Sequence, residues 1–310
     1  MRVFVAGATG AIGRSLVPRL VAAGHQVTAM TRTPTKSALI ASWRADTVVG
    51  DALDRHVVRR AITAASPDAV VHQLTDIPRD LNPRRISQAL ASTNRLRIDG
   101  TRHLVDAARE AGATQFVAQS VAFAYAPTGG WIKTEDDPLF FDAPPPFRPM
   151  VAAIETLERY VLDSGLDAAV LRYGQFYGPG TAYGHDGSVT ELVRARRLPV
   201  IGDGAGMASF IHVDDAAAAT VVALERRARG IYNIVDDDPA PAREWVPALA
   251  RTLGVRPPLH VPRWVGRLAG GPYVVLLMTQ ARGASNAKAQ RELGWVPARP
   301  TWRGVLGTAS

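Results

Sequence analysis

Short apolar runs alternate with amphipathic stretches through the first 173 residues. The runs at 3–6, 26–30, 47–49, 69–72, 115–118 and 168–171 have the length of buried strands. Between them, 13–23, 55–64, 101–111 and 152–163 carry apolar residues at helical spacing. At and just before the first of these, Ile12, Leu16, Val17, Leu20 and Val21 recur at helical spacing. Strand–helix pairs of this length predict an α/β fold with a doubly wound parallel sheet, its ligand crevice at the carboxyl ends of the strands. The alternation fades after Tyr173. Segment 174–207 is glycine-rich, with one charged helix near 190–197, and a late strand at 231–235 is expected to rejoin the sheet. From Asp236 the chain is proline-rich and mostly helical, with Trp245, Trp264, Trp295 and Trp302 as expected packing anchors. The expected organisation is a sheet domain over 1–173, completed by 209–235, and a smaller, mostly helical lobe from 174–208 and 236–310.

The first strand runs directly into Gly7-x-x-Gly10-x-x-Gly13 and then into the first helix. Glycine suits a sharp turn that must approach a ligand closely. The helix N-terminus adds unpaired N–H groups and the positive end of a dipole, which suit a pyrophosphate. Strand, glycines and helix in this order indicate a dinucleotide site.

Composition narrows the chemistry further. The chain has no cysteine, which excludes disulfides, thiolate nucleophiles and Cys-ligated metals. Its seven histidines show no ligand spacing, so no metal is expected. The net charge of +8 is spread along the chain without a nucleic-acid motif, so no nucleic acid is expected. The apolar run 273–278 is far shorter than a membrane span, and no signal segment precedes Arg2, so a cytoplasmic protein is expected.

Segments in order along nearly the whole chain resemble the extended short-chain dehydrogenase/reductase superfamily, in its NAD(P)-dependent epimerase/dehydratase branch. They are GATGAIG at 7–13, GDALD at 50–54, VVHQL at 70–74, GTRHLVDAA at 100–108, LRYGQFYGPG at 171–180, SFIHVDDAAAA at 209–219, YNIVDD at 232–237 and ELGWVP at 292–297. The resemblance implies a Rossmann-type sheet and a nicotinamide dinucleotide. It places Gly7, Thr9, Gly10, Ala11, Ile12 and Gly13 at the pyrophosphate and Asp51 and Ala52 at the adenine. It places His72 and Gln73 near the nicotinamide with Tyr177 approaching it, and counts Leu74 and Gln119 among the cofactor-binding residues. After the second strand stands Arg32, where NAD-specific members carry an acid, with Lys36 a helical turn on. These cations favour a 2′-phosphate, so NADP(H) is expected over NAD(H).

The family's catalytic relay is a Tyr-x-x-x-Lys pair with a serine on the preceding strand. None of the three lysines (Lys36, Lys133, Lys288) follows a tyrosine at that spacing. Alignment by neighbouring motifs puts Val121 at the serine, Met150 at the tyrosine and Ile154 at the lysine. Arg97 replaces the asparagine three residues before Gly100-Thr101. Reducing a ketone creates an alkoxide that needs a donor, whereas an iminium or an activated alkene asks less of the protein, because positive charge or conjugation already draws the hydride. Candidate replacement acids are Tyr125, Tyr173 and Ser120, with His72 and Arg97 behind them. Arg97, Phe123, Trp131, Gln175, Phe176, His185, Met207, Phe210 and His212 are expected to line the substrate pocket. Such walls suit a small, largely apolar molecule. The first reading is an NADP(H)-dependent oxidoreductase working without the usual relay. A non-catalytic NADP-binding redox sensor and an NAD-dependent sugar epimerase or dehydratase remain as alternatives. Monomer and homodimer are both open.

Overall fold

The computed structural model describes residues 1–78 and 83–308. Its central sheet has seven parallel strands: β1 (Arg2–Ala6), β2 (Gln26–Thr31), β3 (Asp46–Val49), β4 (Ala69–His72), β5 (Gln115–Val121), β6 (Asp167–Tyr173) and β7 (Gly230–Ile234). Their order is β7-β6-β5-β4-β1-β2-β3, so the winding reverses between β1 and β4. This is the doubly wound, Rossmann-type sheet expected from the sequence, and its switch point is where such folds bind ligands. Ala6 pairs with Met30 on one side and with His72 on the other, which puts the glycine turn at the head of the crevice.

Near-continuous apolar strands reflect burial of both sheet faces. Along β1, Val3 and Val5 enter one core while Phe4 and Ala6 enter the other. The first core receives α1 (Ala11–Ala22) through Leu16, Val17 and Leu20. The second receives α2 (Arg55–Ala65), α3 (Thr101–Glu110) and α4 (Arg148–Leu162) through Ile62, Leu104 and Leu157. Helix α4 begins before residue 152, where the apolar pattern places its start. Pro149 occupies its first turn, where a missing N–H leaves no bond unmade. Helix α5 (Val213–Glu225) packs beside α1 on the first face.

The smaller lobe is built on α6 (Ala242–Thr252) and α7 (Arg263–Thr279). Phe210–His212 does not join the central sheet; it pairs in parallel with Gln175–Tyr177 as a separate ribbon. Trp245 and Trp302 anchor the lobe core, and the Trp302 indole donates to the Asp238 carbonyl at 2.7 Å. Two of the expected anchors differ. Trp295 is buried against the first sheet core, and Trp264 is 66% exposed on α7. Helix α7 kinks at Gly271, whose φ of 79° is followed by Pro272, and Tyr273 comes next in the chain.

Candidate active site

The glycine turn forms a cradle that side chains would fill. A Cβ on Gly7 (φ 90°) would lie 2.5 Å from the Gln73 carbonyl oxygen. One on Gly13 would lie 2.4 Å from the Ala8 carbonyl oxygen. Gly10 caps α1 without a side-chain hydrogen bond, which leaves the first helical N–H groups to an outside acceptor. Thr9 and Ala11 are half-buried beside it, while Ile12 points into the core. These residues fit the pyrophosphate of a dinucleotide. Asp51 accepts the Leu53 N–H at 2.9 Å, and the buried Ala52 offers its carbonyl to His103 Nδ1 at 3.0 Å.

Beyond β2, Arg32 is more than half exposed and pairs with Asp76 at 3.0 Å. Asp76 also accepts the Ser92 hydroxyl at 2.7 Å. The Ser92 hydroxyl and then the Arg32 guanidinium hold its carboxyl below the usual carboxylate range. Sequence reasoning missed Asp76, since nothing in its local pattern marks a partner for Arg32. Lys36 is half-buried, with no side-chain partner among the described residues.

Three residues expected at the nicotinamide or the chemistry are taken up by the protein itself. His72 Nδ1 accepts the Leu74 N–H at 3.1 Å, so Nε2 carries the proton and donates to Thr101 Oγ1 at 3.0 Å. Burial and then the nearby Arg97 charge push the His72 imidazole down to about 4, which keeps it neutral. Tyr173 is fully buried; its hydroxyl accepts from Gln73 Nε2 at 3.2 Å and lies 2.6 Å from Thr220 Oγ1. The Thr220 hydroxyl already donates to the Ala216 carbonyl, so the Tyr173 proton points to Thr220. Burial pushes the Tyr173 phenol up to about 12, the wrong direction for a proton donor. Tyr177 is likewise fully buried, in the lobe core edge-on to His212 at 5.1 Å, and its side chain offers no surface to a cofactor. Leu74 and Gln119 keep partial exposure.

Ser120 and Tyr125, expected as candidate acids, belong to a buried polar network. Arg172 holds Glu158 through two bonds, Nε–Oε1 at 2.8 Å and Nη2–Oε2 at 2.6 Å. Ser120 donates to the same Oε1 at 2.7 Å. The Tyr125 hydroxyl accepts from Arg172 at 2.9 Å and donates to Asn233 at 2.7 Å. Burial pushes the Tyr125 phenol up to about 12 despite the adjacent cation. The network ties β5, α4, β6 and β7 together.

Val121, Met150 and Ile154, which the resemblance aligns with serine, tyrosine and lysine, lie in one apolar cluster with Phe147 and Leu276. Phe123 and Tyr273 pack against it. Tyr273 stacks on Phe147 at 4.5 Å, and it also lies within the electrostatic reach of Arg97. Of the other expected walls, Trp131 and Met207 share a cavity of about 420 Å³ with Arg243 and Glu244. Gln175 and Phe176 are half-buried on the ribbon, with Phe176 against Tyr173. His185 is exposed, its carbonyl and ring both taken by Arg194. Phe210 is a correction: it has no exposure, being enclosed by Tyr183, Trp245 and Trp302. His212, also buried, caps α5 through Nδ1.

A family model described as the NAD dependent epimerase/dehydratase family matches residues 3–235. A Streptomyces protein named 3-diazoavenalumate denitrifying reductase is 49% identical over 311 residues, covering 99% of each chain. The UDP-N-acetyl-alpha-D-glucosaminuronate decarboxylase of Bacillus cytotoxicus is 29% identical, over 76% of this chain and 75% of that one. Among solved structures, the UDP-glucose 4-epimerase of Thermus thermophilus, in complex with NAD, has a TM-score of 0.75 at 25% identity. That match covers 98% of this chain and 96% of the other.

Proposed function

The chain belongs to the NAD dependent epimerase/dehydratase family, and from that premise we propose a reductase that uses NADPH to remove the diazo group of an aromatic compound as dinitrogen. One observation carries this reading: the hydroxyls of Ser120, Tyr125 and Tyr173 are all committed inside the protein, and Val121, Met150 and Ile154 carry no proton to give. A ketone reductase in this state would find none of these hydroxyls free to protonate the alkoxide. An aryl diazonium carbon has no such need. In net balance a hydride brings the electron pair of the new C–H bond, and N₂ departs with the pair of the broken C–N bond. No proton enters, and the leaving group is neutral. The 49% identity to a denitrifying reductase across 99% of both chains supports the same chemistry.

The bound dinucleotide supplies the hydride. The chain's own residues do the rest: the N-terminus of α1 with Gly7, Gly10 and Gly13 holds the pyrophosphate, and Arg32 and Lys36 favour the 2′-phosphate. The apolar cluster at Val121, Met150 and Ile154 excludes water from the reacting face. Purified protein is to be mixed with NADPH and an ortho-diazophenol carrying a carboxylate side chain. The expected result is N₂ release and NADPH oxidation in equal amounts. Reduction of ketones or enones with the diazo compound untouched would overturn the reading. NADPH binding without turnover of any substrate would favour a redox sensor.

A further inference from the structure

Arg97 lies in the wide turn Leu96–Gly100, where the helix leading into α3 changes from i→i+4 to i→i+5 bonding. Such turns alter the direction of one side chain and recur at functional sites. The residue is only 6% exposed. Among the described residues its guanidinium makes one hydrogen bond, to Asn94 Oδ1 at 3.3 Å. No Asp or Glu oxygen of the described residues comes within 4.0 Å of it, for Glu158 is chelated by Arg172. Its other charged or titratable neighbours give no counter-ion. His72 is neutral with both ring nitrogens in use, and burial pushes the Tyr273 phenol up to about 12. Burial lowers Arg97 only to about 10, so it stays a cation at neutral pH. A buried cation with most of its donors unspent is costly unless an anion completes it.

We infer that Arg97 anchors the substrate through an anionic oxygen, carboxylate or aryloxide, at the edge of the apolar cluster containing Val121, Met150 and Ile154. The guanidinium fork suits either oxyanion, and the half-buried Tyr273, backed by its stack on Phe147, gives the adjoining aromatic body a ring to lie against. The position therefore selects anionic aromatic molecules over neutral ones. An aryloxide conjugated to a diazo group would gain more than a hold. A cation at its oxygen favours the charge-separated form, in which the diazo group is the better hydride acceptor. The inference rests on the reductase reading for the identity of the substrate, but not for the anion site.

The test is equilibrium binding in the presence of NADP⁺, with para-hydroxycinnamate, its methyl ester and its O-methyl ether as unreactive probes. The wild type is expected to bind the free acid about 30-fold more tightly than the analogue that lacks the recognised oxyanion. A loss confined to the ester identifies the carboxylate, and one confined to the ether the aryloxide. Arg97→Met is expected to bind all three alike without losing thermal stability, and Arg97→Lys to keep part of the preference. Equal binding of the probes by the wild type, no binding of any, or an undiminished preference in Arg97→Met would overturn the inference. If Arg97→Met does not fold, Arg97→Lys and the wild-type probe series decide. Discrimination retained in a protein that never turns over a diazo compound refutes the reductase and leaves the anchor. Turnover with no discrimination does the reverse.

Discussion

Two buried arginines lie within the field of Glu158, and they meet the cost of a buried charge in opposite ways. Arg172, on β6, is held by both carboxylate oxygens and by Tyr125, and those partners raise its pKa despite burial. Arg97, in the wide turn before α3, has one long bond to an amide, and its pKa falls to about 10. The first charge is spent on architecture; the second is left for a ligand. A completed ion pair and an incomplete one, so close together, separate the part of the site that holds the fold from the part that meets substrate.

The largest effect is expected from breaking the completed pair. Arg172→Met strands Glu158 as a lone buried carboxylate and should cost about 3–5 kcal/mol in denaturant unfolding. Arg97→Met removes an uncompensated charge and should leave unfolding within about 1 kcal/mol of wild type, or stabilise it. Equal destabilisation by the two variants would erase the distinction.

Next comes His72, whose folded pKa of about 4 lies below the unfolded value. The unfolded chain takes up a proton that the native state refuses. Its stabilising contribution is therefore complete above about pH 6.5 and is lost as pH falls toward about 4, a change on the order of 3 kcal/mol. The difference in unfolding free energy between wild type and His72→Gln should shrink across that window. A difference that does not vary with pH would place a charged or exposed imidazole there.

Ser120→Ala tests the hydroxyl as strut rather than acid. Loss of a bond to the buried Glu158 carboxylate should cost about 2 kcal/mol of stability and leave the chemical rate intact. A large fall in kcat with unchanged stability would restore Ser120 as the proton donor.

The smallest effect belongs to Arg32, exposed and shared with Asp76. Arg32→Ala should weaken NADPH binding about tenfold relative to NADH, while Asp76→Asn should sharpen the NADPH preference by freeing the guanidinium. Fluorescence titration with both dinucleotides measures this, and equal affinities in the wild type would refute the assignment.

The two arginines also mark where the sequence stops being legible. The crevice head is readable because local signals agree there: the apolar run of β1, three glycines and the helical spacing of Leu16, Val17 and Leu20 all lie close together at the start of the chain. Arg97 is visible as a departure from the family pattern, but its lack of a counter-ion is not. That depends on Glu158 being taken by Arg172 and on Tyr273 arriving from α7. Tyr173 and Phe210 mislead for a related reason. Residue type suggests a replacement acid for the one and a pocket wall for the other, whereas side-chain direction is set by non-local partners: Thr220 and Gln73 for Tyr173, Trp245 and Trp302 for Phe210. Asp76 escapes notice because its partner Arg32 sits on a different strand end.

The most direct test is isotopic. NADPH deuterated at its transferring position is supplied with the ortho-diazophenol in ordinary water, and the product is examined at the carbon that carried the diazo group. Deuterium at that carbon, matched by released N₂, is expected if hydride alone completes the exchange and no protein acid takes part. Hydrogen from solvent at that carbon, or no N₂ from a protein that binds NADPH, would contradict a reductase that works without a proton relay.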